Sequence, residues 1–253
     1  MTNFEIYCIT NKTLPYLENF SYNLCGAGKA NFPNNYMKCD YGDNIFEKEK
    51  YYSELTFQYW YWKNKLDTNN NNWIGFCQKR RFWIKKTSVG QPINIENFKN
   101  HFLSDPPSEW NDFDAIVCDP IPVNKIKKMK LIKRGFKSLI KDPSILFNTN
   151  KQTINLHFDM HHGYGNLNEA IDVMDNKDKD EFRKFANTSV SFSPHNIFIT
   201  KPKIADLWFK SLFPWLFRCE KIFGFKNLEG YDTQRLYAYL AERYLSFWFS
   251  KYT

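Results

Sequence analysis

Residues 73–83, WIGFCQKRRFW, constrain the fold more than any other stretch. An apolar, strand-like run from Trp73 to Cys77 passes directly into Gln78, Lys79, Arg80 and Arg81, then closes on Phe82 and Trp83. Surface charge runs are rarely boxed in by aromatics on both sides. In open α/β sheets, ligands bind in the crevice outside the carboxyl ends of the strands. Basic residues at the end of a buried strand therefore stand where an anion is held. A guanidinium there suits a phosphate or a carboxylate, because its planar fork donates two parallel hydrogen bonds. The competing reading is an ordinary strand whose charged end meets solvent.

Other segments set this strand in an alternating pattern. Residues 4–10 read as a buried strand, as do 113–118, FDAIVC, ended by Asp119-Pro120, and 195–200, HNIFIT. Residues 47–65 read as a helix with Tyr52, Leu55, Tyr59 and Trp62 on one face. Residues 166–185 read as a helix with a charged surface, and 204–223 and 232–250 as helices rich in Trp and Phe, the first kinked or split by Pro214. The stretch 24–33, LCGAGKANFP, reads as a glycine-containing loop without the Walker spacing, a weak phosphate signal. Strands alternating with helices predict an α/β sheet with crossovers. One domain over 1–253 is expected, with 204–253 as its helical, aromatic-rich part.

Aromatic residues make up 19% of the chain, material for a core and for stacking on a ligand ring. A mean hydropathy of −0.59 and the lack of a long apolar run exclude a membrane-spanning helix. The opening MTNFEIYCIT lacks the pattern of a secretion signal. The six cysteines, Cys8, Cys25, Cys39, Cys77, Cys118 and Cys219, contain no C-x-x-C pair, which argues against structural zinc and a disulfide scaffold. Reduced thiols in the cytoplasm are expected. The net charge of +8 admits nucleic acid, an anionic membrane or phosphorylated small molecules. Residues 125–141, KIKKMKLIKRGFKSLIK, hold eight Lys or Arg and no acid. Within them Met129, Ile132, Phe136, Leu139 and Ile140 recur at roughly helical spacing, although Gly135 weakens a helix. This fits either a basic amphipathic segment lying on anionic headgroups or a solvated surface helix.

Several segments in a fixed order then carry a resemblance: GDNI at 42–45, YYSELTFQYWYWKN at 51–64, WIGFCQKRRFW, FDAIVCDPIP at 113–122, HFDMHHGYGNL at 157–167, HNIFITKPKIADLWFKSLFPWLF at 195–217 and RLYAYLAERYLSFWF at 235–249. Together they resemble a bacterial and viral family of glycosyltransferase-like proteins that includes galactofuranosyltransferases of surface-polysaccharide synthesis. The matches are collinear and span nearly the whole chain. Gln78 stands where the family usually has His, Lys79 where it has Tyr, and Asn166 where it has Asp. Arg80, Arg81, His162, Asn196, Glu242 and Arg243 are retained.

The resemblance implies a GT-A-like mixed sheet flanked by helices, and transfer of a hexose, galactofuranose or galactose, from a nucleoside-diphosphate sugar, UDP-linked, to a glycan or lipid-linked acceptor. Charge develops on the leaving diphosphate and must be stabilised in place. Many enzymes of this fold use a divalent metal on an Asp-x-Asp motif after a strand. Here DKD (178–180) lies on a predicted helix and DFD (112–114) before a strand. The strand end that should carry the motif carries cations instead. No cofactor and no metal site are therefore expected. Manganese or magnesium held by carboxylates distant in sequence, such as Asp119, is the alternative.

The expected donor-binding residues are Arg80, Arg81, Gln78, Lys79, Asp43, Asn44 and Glu54. Asp43 and Asn44 read equally as helix caps, and Glu54 as a partner for Arg80 or Arg81. An inverting transfer needs a base for the acceptor hydroxyl, and the candidates are Asp159, His161, His162 and Asp119. Asn196, Glu242 and Arg243 are the expected acceptor-binding residues, the last two reading also as a structural ion pair. HFDMHH lacks the H-E-x-x-H arrangement of a zinc site. A catalytically lapsed glycan- or nucleotide-binding relative is a second reading, and a basic nucleic-acid-binding protein a third. No nucleic-acid motif appears, so nucleic acid is not an expected partner. The expected location is the cytoplasm, with a peripheral contact at the inner membrane face where the 125–141 segment acts as a lipid-facing rather than a solvated helix.

Overall fold

The computed structural model describes residues 4–17 and 21–253; the first three residues of the amino-terminal stretch lie outside them. In chain order the elements are β1 (Phe4–Thr10), β2 (Asn23–Gly26), β3 (Met37–Lys38), α1 (Glu49–Tyr52), α2 (Leu55–Asn64), β4 (Trp73–Gln78), β5 (Ala115–Val117), β6 (Ile121–Pro122), α3 (Lys128–Arg134), α4 (Phe136–Lys141), α5 (Ile154–His162), α6 (Asn166–Asp172), α7 (Asn176–Thr188), β7 (Ser191–Phe192), β8 (Phe198–Thr200), α8 (Pro202–Phe223), α9 (Gly230–Thr233) and α10 (Leu236–Tyr252). They form two compact units. One is Met1–Val117 with Asn196–Phe209 and Thr253; the other is Cys118–His195 with Lys210–Tyr252.

The first unit is built on a six-stranded mixed sheet of order β3-β2-β1-β4-β8-β5. β1 runs parallel to β2 and β4, and β2 parallel to β3, whereas β8 is antiparallel to both β4 and β5. Successive side chains of a strand point to opposite faces, and here both faces are covered, so β4 reads as a nearly continuous apolar run and β1 as one broken by Glu5. On one face Tyr7 meets Tyr61 of α2 (ring centroids 4.7 Å apart), and Phe76 meets Phe198 (5.2 Å) and Phe209 of α8 (6.1 Å). On the other, Ile6, Cys8, Trp73, Cys77 and Ile199 share a core with Tyr22, Phe98 and Phe102.

Gly75 sits where β1, β4 and β8 press together. A methyl group there would come within 2.5 Å of Ile6 Cδ1 and 2.7 Å of Ile199 Cγ1. Gly75→Ala is expected to cost ~1–3 kcal/mol by overpacking, read as a lower urea midpoint at unchanged slope.

The second unit is mainly helical, with the short antiparallel pair β6–β7. Its core gathers Phe182, Trp215 and Tyr244, and the Trp215 indole donates to the Ala170 carbonyl at 2.7 Å. All six cysteines are thiols without a disulfide.

Several boundaries differ from those expected. The stretch 24–33 is not all loop. β2 takes its first residues, because a strand paired on both sides needs little sequence signal of its own. The helix expected over 47–65 breaks at Ser53, whose φ of 53° cannot continue a helix. α2 is buried on every side from Leu55 to Tyr61, not along one stripe. The helix expected over 166–185 is two, α6 and α7. α8 runs uninterrupted through Pro214. Asn196 precedes β8 and does not open it. Around Gly135 the segment 125–141 splits into α3 and α4. Of the expected apolar face only Leu139 is buried, together with Leu131.

Candidate active site

The parallel part of the sheet has a point where the strand order reverses: β2 and β3 lie to one side of β1, and β4 to the other. A crevice opens at the carboxyl ends of the strands at such a point. Here residues 10–12 leave β1 and residues 79–81 leave β4. The Lys79 N–H donates to the Ile9 carbonyl at 3.2 Å, carrying the ladder one residue past β4. Gln78 and Arg81 then close a tight turn, with N–H to carbonyl distances of 3.1 and 2.9 Å.

Lys79 and Arg80 form the tip of that turn. The Lys79 carbonyl accepts the Tyr16 hydroxyl at 2.7 Å, and its ammonium donates to Asn11 Oδ1. Arg80 is exposed. It acts on the Tyr16 phenol, favouring the ionised form against the burial that raises its pKa. The Arg81 guanidinium folds back onto the Arg80 carbonyl at 2.8 Å. The turn thus presents an anchored Lys79 and an exposed Arg80 at the carboxyl edge of the sheet. On the same edge, a cleft of about 340 Å³ lies at the ends of β2 and β3, lined by Gly26, Gly28, Lys29, Asp40 and Glu47 among others. Two strand spacings, about 10 Å, separate the ends of β4 and β2. Gly26 is required by packing, because a methyl group there would meet the Phe32 ring at 2.5 Å.

Asp43, Asn44 and Glu54 are occupied by scaffold contacts. Asn64, at the end of α2, accepts the Asp43 N–H at 3.1 Å and donates to the Asp43 carbonyl at 2.8 Å. The Tyr59 hydroxyl donates to the Asp43 carboxylate at 3.0 Å. Asn44 accepts the Phe46 N–H at 3.1 Å, which is the capping role. Glu54 accepts from the Asn196 amide at 2.8 Å, and the Asn196 carbonyl accepts from Gln58 at 2.7 Å. Glu54 thus pairs with Asn196.

In the second unit Arg243 is the centre of a buried cluster. It is 1% exposed and pairs with Glu242, whose other oxygen accepts the His195 N–H at 2.7 Å. The Arg243 Nη2 lies 3.4 Å from His157 Nδ1 and 3.3 Å from His162 Nε2, and the guanidinium covers Phe192 at 4.1 Å. His162 Nδ1 stands 2.7 Å from the Asp232 carbonyl, so it carries the proton, and Nε2 offers its lone pair to Arg243. The ring also stacks on Tyr239 at 3.8 Å. Burial, reinforced by the Arg243 charge, pushes the His162 imidazole down to about 3 and lowers His157 in the same way. His161 is lowered by burial and donates from Nδ1 to the His157 carbonyl at 2.9 Å.

A pH dependence follows from the two most depressed imidazoles, His157 and His162. Above pH ~6.5 they are neutral in both folded and unfolded chains. Below it the unfolded chain takes up protons that the folded one refuses, until the depressed folded pKa is reached. Each histidine therefore removes up to ~1.4 kcal/mol per pH unit. Urea midpoints should fall from pH 6.5 toward pH 4, and His162→Gln should flatten the slope.

Asp159 faces different surroundings. It accepts the Gly165 N–H at 2.9 Å, and burial raises its carboxyl above the ordinary range. It borders a polar cleft of about 500 Å³ that includes Lys141, Asn155, Tyr164 and Asn168. Lys137 and Lys141 stand 5.3 Å from the Tyr164 ring. Asn166 donates to the His162 carbonyl at 2.8 Å, a bond that an ionised aspartate could not make. Asp119 is exposed just past β5. Asp178 of the DKD triplet is held by the Tyr244 and Tyr252 hydroxyls, both at 2.6 Å, and by Lys251 at 3.1 Å. Among the described residues no three His, Cys, Asp or Glu side chains converge as a metal site would require.

Asn11, Tyr16, Asn64 and Tyr239 escaped the sequence reading. Asn11 had a usable signal in its place directly after the first strand, and Asn64 and Tyr239 in lying within the motifs at 51–64 and 235–249.

This topology defines the class of fold: a six-stranded mixed α/β sheet flanked by helices, with a cationic turn at the carboxyl end of one parallel strand. The chain belongs to the family described as domain of unknown function DUF4422, whose model matches residues 5–253. Its fold is similar to the apo structure of WbbM, a bifunctional glycosyltransferase, with a TM-score of 0.64 at 18% identity. The likeness covers 98% of this chain and 42% of the WbbM chain, so the protein spans less than half of that enzyme. No curated protein matches it.

Proposed function

We propose that the protein is a glycosyltransferase that moves a hexose, galactofuranose or galactose, from a UDP-sugar to a glycan or lipid-linked acceptor. The observation that carries this reading is the cationic turn at the β1–β4 switch point. Lys79 is seated there by Ile9, Asn11 and Tyr16, with the exposed Arg80 beside it at the tip of the turn, in the crevice where this class of sheet takes its ligand. In the proposed site they stabilise the charge that develops on the departing diphosphate. The nucleoside occupies the cleft at the ends of β2 and β3. Asp159, whose carboxyl is raised above the ordinary range by burial, is the proposed base for the acceptor hydroxyl. The likeness to WbbM and the resemblance of the motifs support the reaction class; the donor sugar rests on the motifs alone.

The test is calorimetric titration of UDP and UDP-sugars in the presence of a chelator. Arg80→Ala is expected to weaken UDP by ~1.5–3 kcal/mol, the range for a hydrogen bond to a charged group. Arg81→Ala should cost less, since Arg81 is turned toward the Arg80 carbonyl. An unchanged UDP affinity in folded Arg80→Ala removes this residue from the site. Binding that appears only with added manganese overturns the cationic substitute for a metal.

A further inference from the structure

The helices α3 and α4 have two apolar faces, and only one is used inside the protein. Leu131 and Leu139 pack inward with Ile145, Leu156 and Met160. Met129 and Ile132, one turn apart on α3, are 65% and 43% exposed, and Phe136 and Ile140, one turn apart on α4, are 60% and 66% exposed. Phe147, shortly after α4, is 82% exposed. Five large apolar side chains therefore meet solvent within 19 residues, from 129 to 147. Around them the eight cations of 125–141 are all exposed. Arg134 is paired with Asp232 at 2.9 Å, and Lys128 sits 5.6 Å from the Phe147 ring. Gly135 permits the turn between the helices, because a methyl group there would lie 2.8 Å from the Leu131 carbonyl oxygen.

We propose that this face docks on the surface of an anionic phospholipid bilayer. Its occupant must be apolar and negatively charged at once. Headgroup phosphates over an acyl boundary supply both, with the apolar side chains entering the boundary and the lysines reaching up to the phosphates. A second copy of the chain would bring like charges face to face. Nucleic acid would satisfy the lysines and leave Met129, Ile132 and Ile140 uncovered. Among the described residues no helix is long and apolar enough to cross a membrane, so the contact proposed is one that lies on the surface.

The experiment is co-sedimentation of the full chain with vesicles of phosphatidylcholine alone, or with a quarter of phosphatidylglycerol. Binding to the anionic vesicles should exceed that to neutral ones by roughly tenfold or more and fall steeply with salt. The double variant Phe136→Ser/Ile140→Ser should lose roughly tenfold at an unchanged melting temperature, since these side chains are outside the core. The triple variant Lys130→Gln/Lys133→Gln/Lys137→Gln should lose the preference for phosphatidylglycerol. Equal binding to both vesicle types, or an undiminished Phe136→Ser/Ile140→Ser variant, overturns the proposal. So does a concentration-dependent dimer that the serine variant abolishes, or oligonucleotide binding that the glutamine variant abolishes without vesicle binding in the parent. No sugar donor enters this assay, so its outcome is separate from that of the transferase reading.

Discussion

Arg243→Ala should destabilise the protein by ~3–5 kcal/mol, the cost of removing one member of a buried charge pair and leaving the other. Glu242 would keep its bond from the His195 N–H and lose its counter-ion. His157 and His162 would each lose the donor facing their ring nitrogens, and the Phe192 ring would face a cavity. For a chain of this size the melting temperature should fall by on the order of 10 °C. Arg243→Lys keeps the charge but not the fork that reaches a carboxylate and two imidazoles, so it should recover only part. The double variant Glu242→Gln/Arg243→Met removes both charges and should recover more than Arg243→Ala. A loss below 1 kcal/mol for Arg243→Ala would show that the cluster is not what holds α5 to α10.

Asp159→Asn should slow sugar transfer by 10²–10⁴-fold, the usual contribution of a positioned general base, with UDP affinity unchanged. An asparagine oxygen can still accept the Gly165 N–H that fixes the side chain, so the fold should be retained. The parent should show an acidic limb in its pH–rate profile above the ordinary carboxylate range, because burial raises Asp159. The variant should lack that limb, a signature that a merely structural role would not produce. Unchanged transfer by Asp159→Asn would end the assignment and return attention to Asp119. His162 is less suited to the task, since one nitrogen is bonded to the Asp232 carbonyl and the other faces Arg243.

The elements that were legible in the chain are those whose signal is local. β1 and β4 are predominantly apolar because both faces of the sheet are covered, and 79–81 read as a basic strand end because the change from apolar to cationic is abrupt. What could not be read is set by partners far away in sequence. Ser53 carries no mark of a helix break; its positive φ is imposed by how α1 and α2 meet. The spacing of Met129, Ile132, Phe136, Leu139 and Ile140 reveals an amphipathic segment but not which stripe turns inward, because Leu131 and Leu139 are selected by Leu156 and Met160. Asp43 and Asn44 carry no mark along the chain of their scaffold partners, Asn64 and Tyr59, which bind the same turn. A polar residue's duty depends on its neighbours in space, and two motifs that appear separate along the chain, GDNI and YWYWKN, prove to be one hydrogen-bonded unit.

α4 serves two surfaces at once. Phe136 and Ile140 point to solvent, while Ser138 and Lys141 line the cleft that Asp159 borders. A helix resting on lipid would hold the mouth of that cleft at a fixed height above the acyl boundary. An acceptor tethered to the same leaflet would then search for it in two dimensions, at a local concentration far above its bulk value. Such a cleft needs little intrinsic affinity for the glycan, and a soluble mimic lacking the lipid tether should be a poor substrate for reasons of geometry alone.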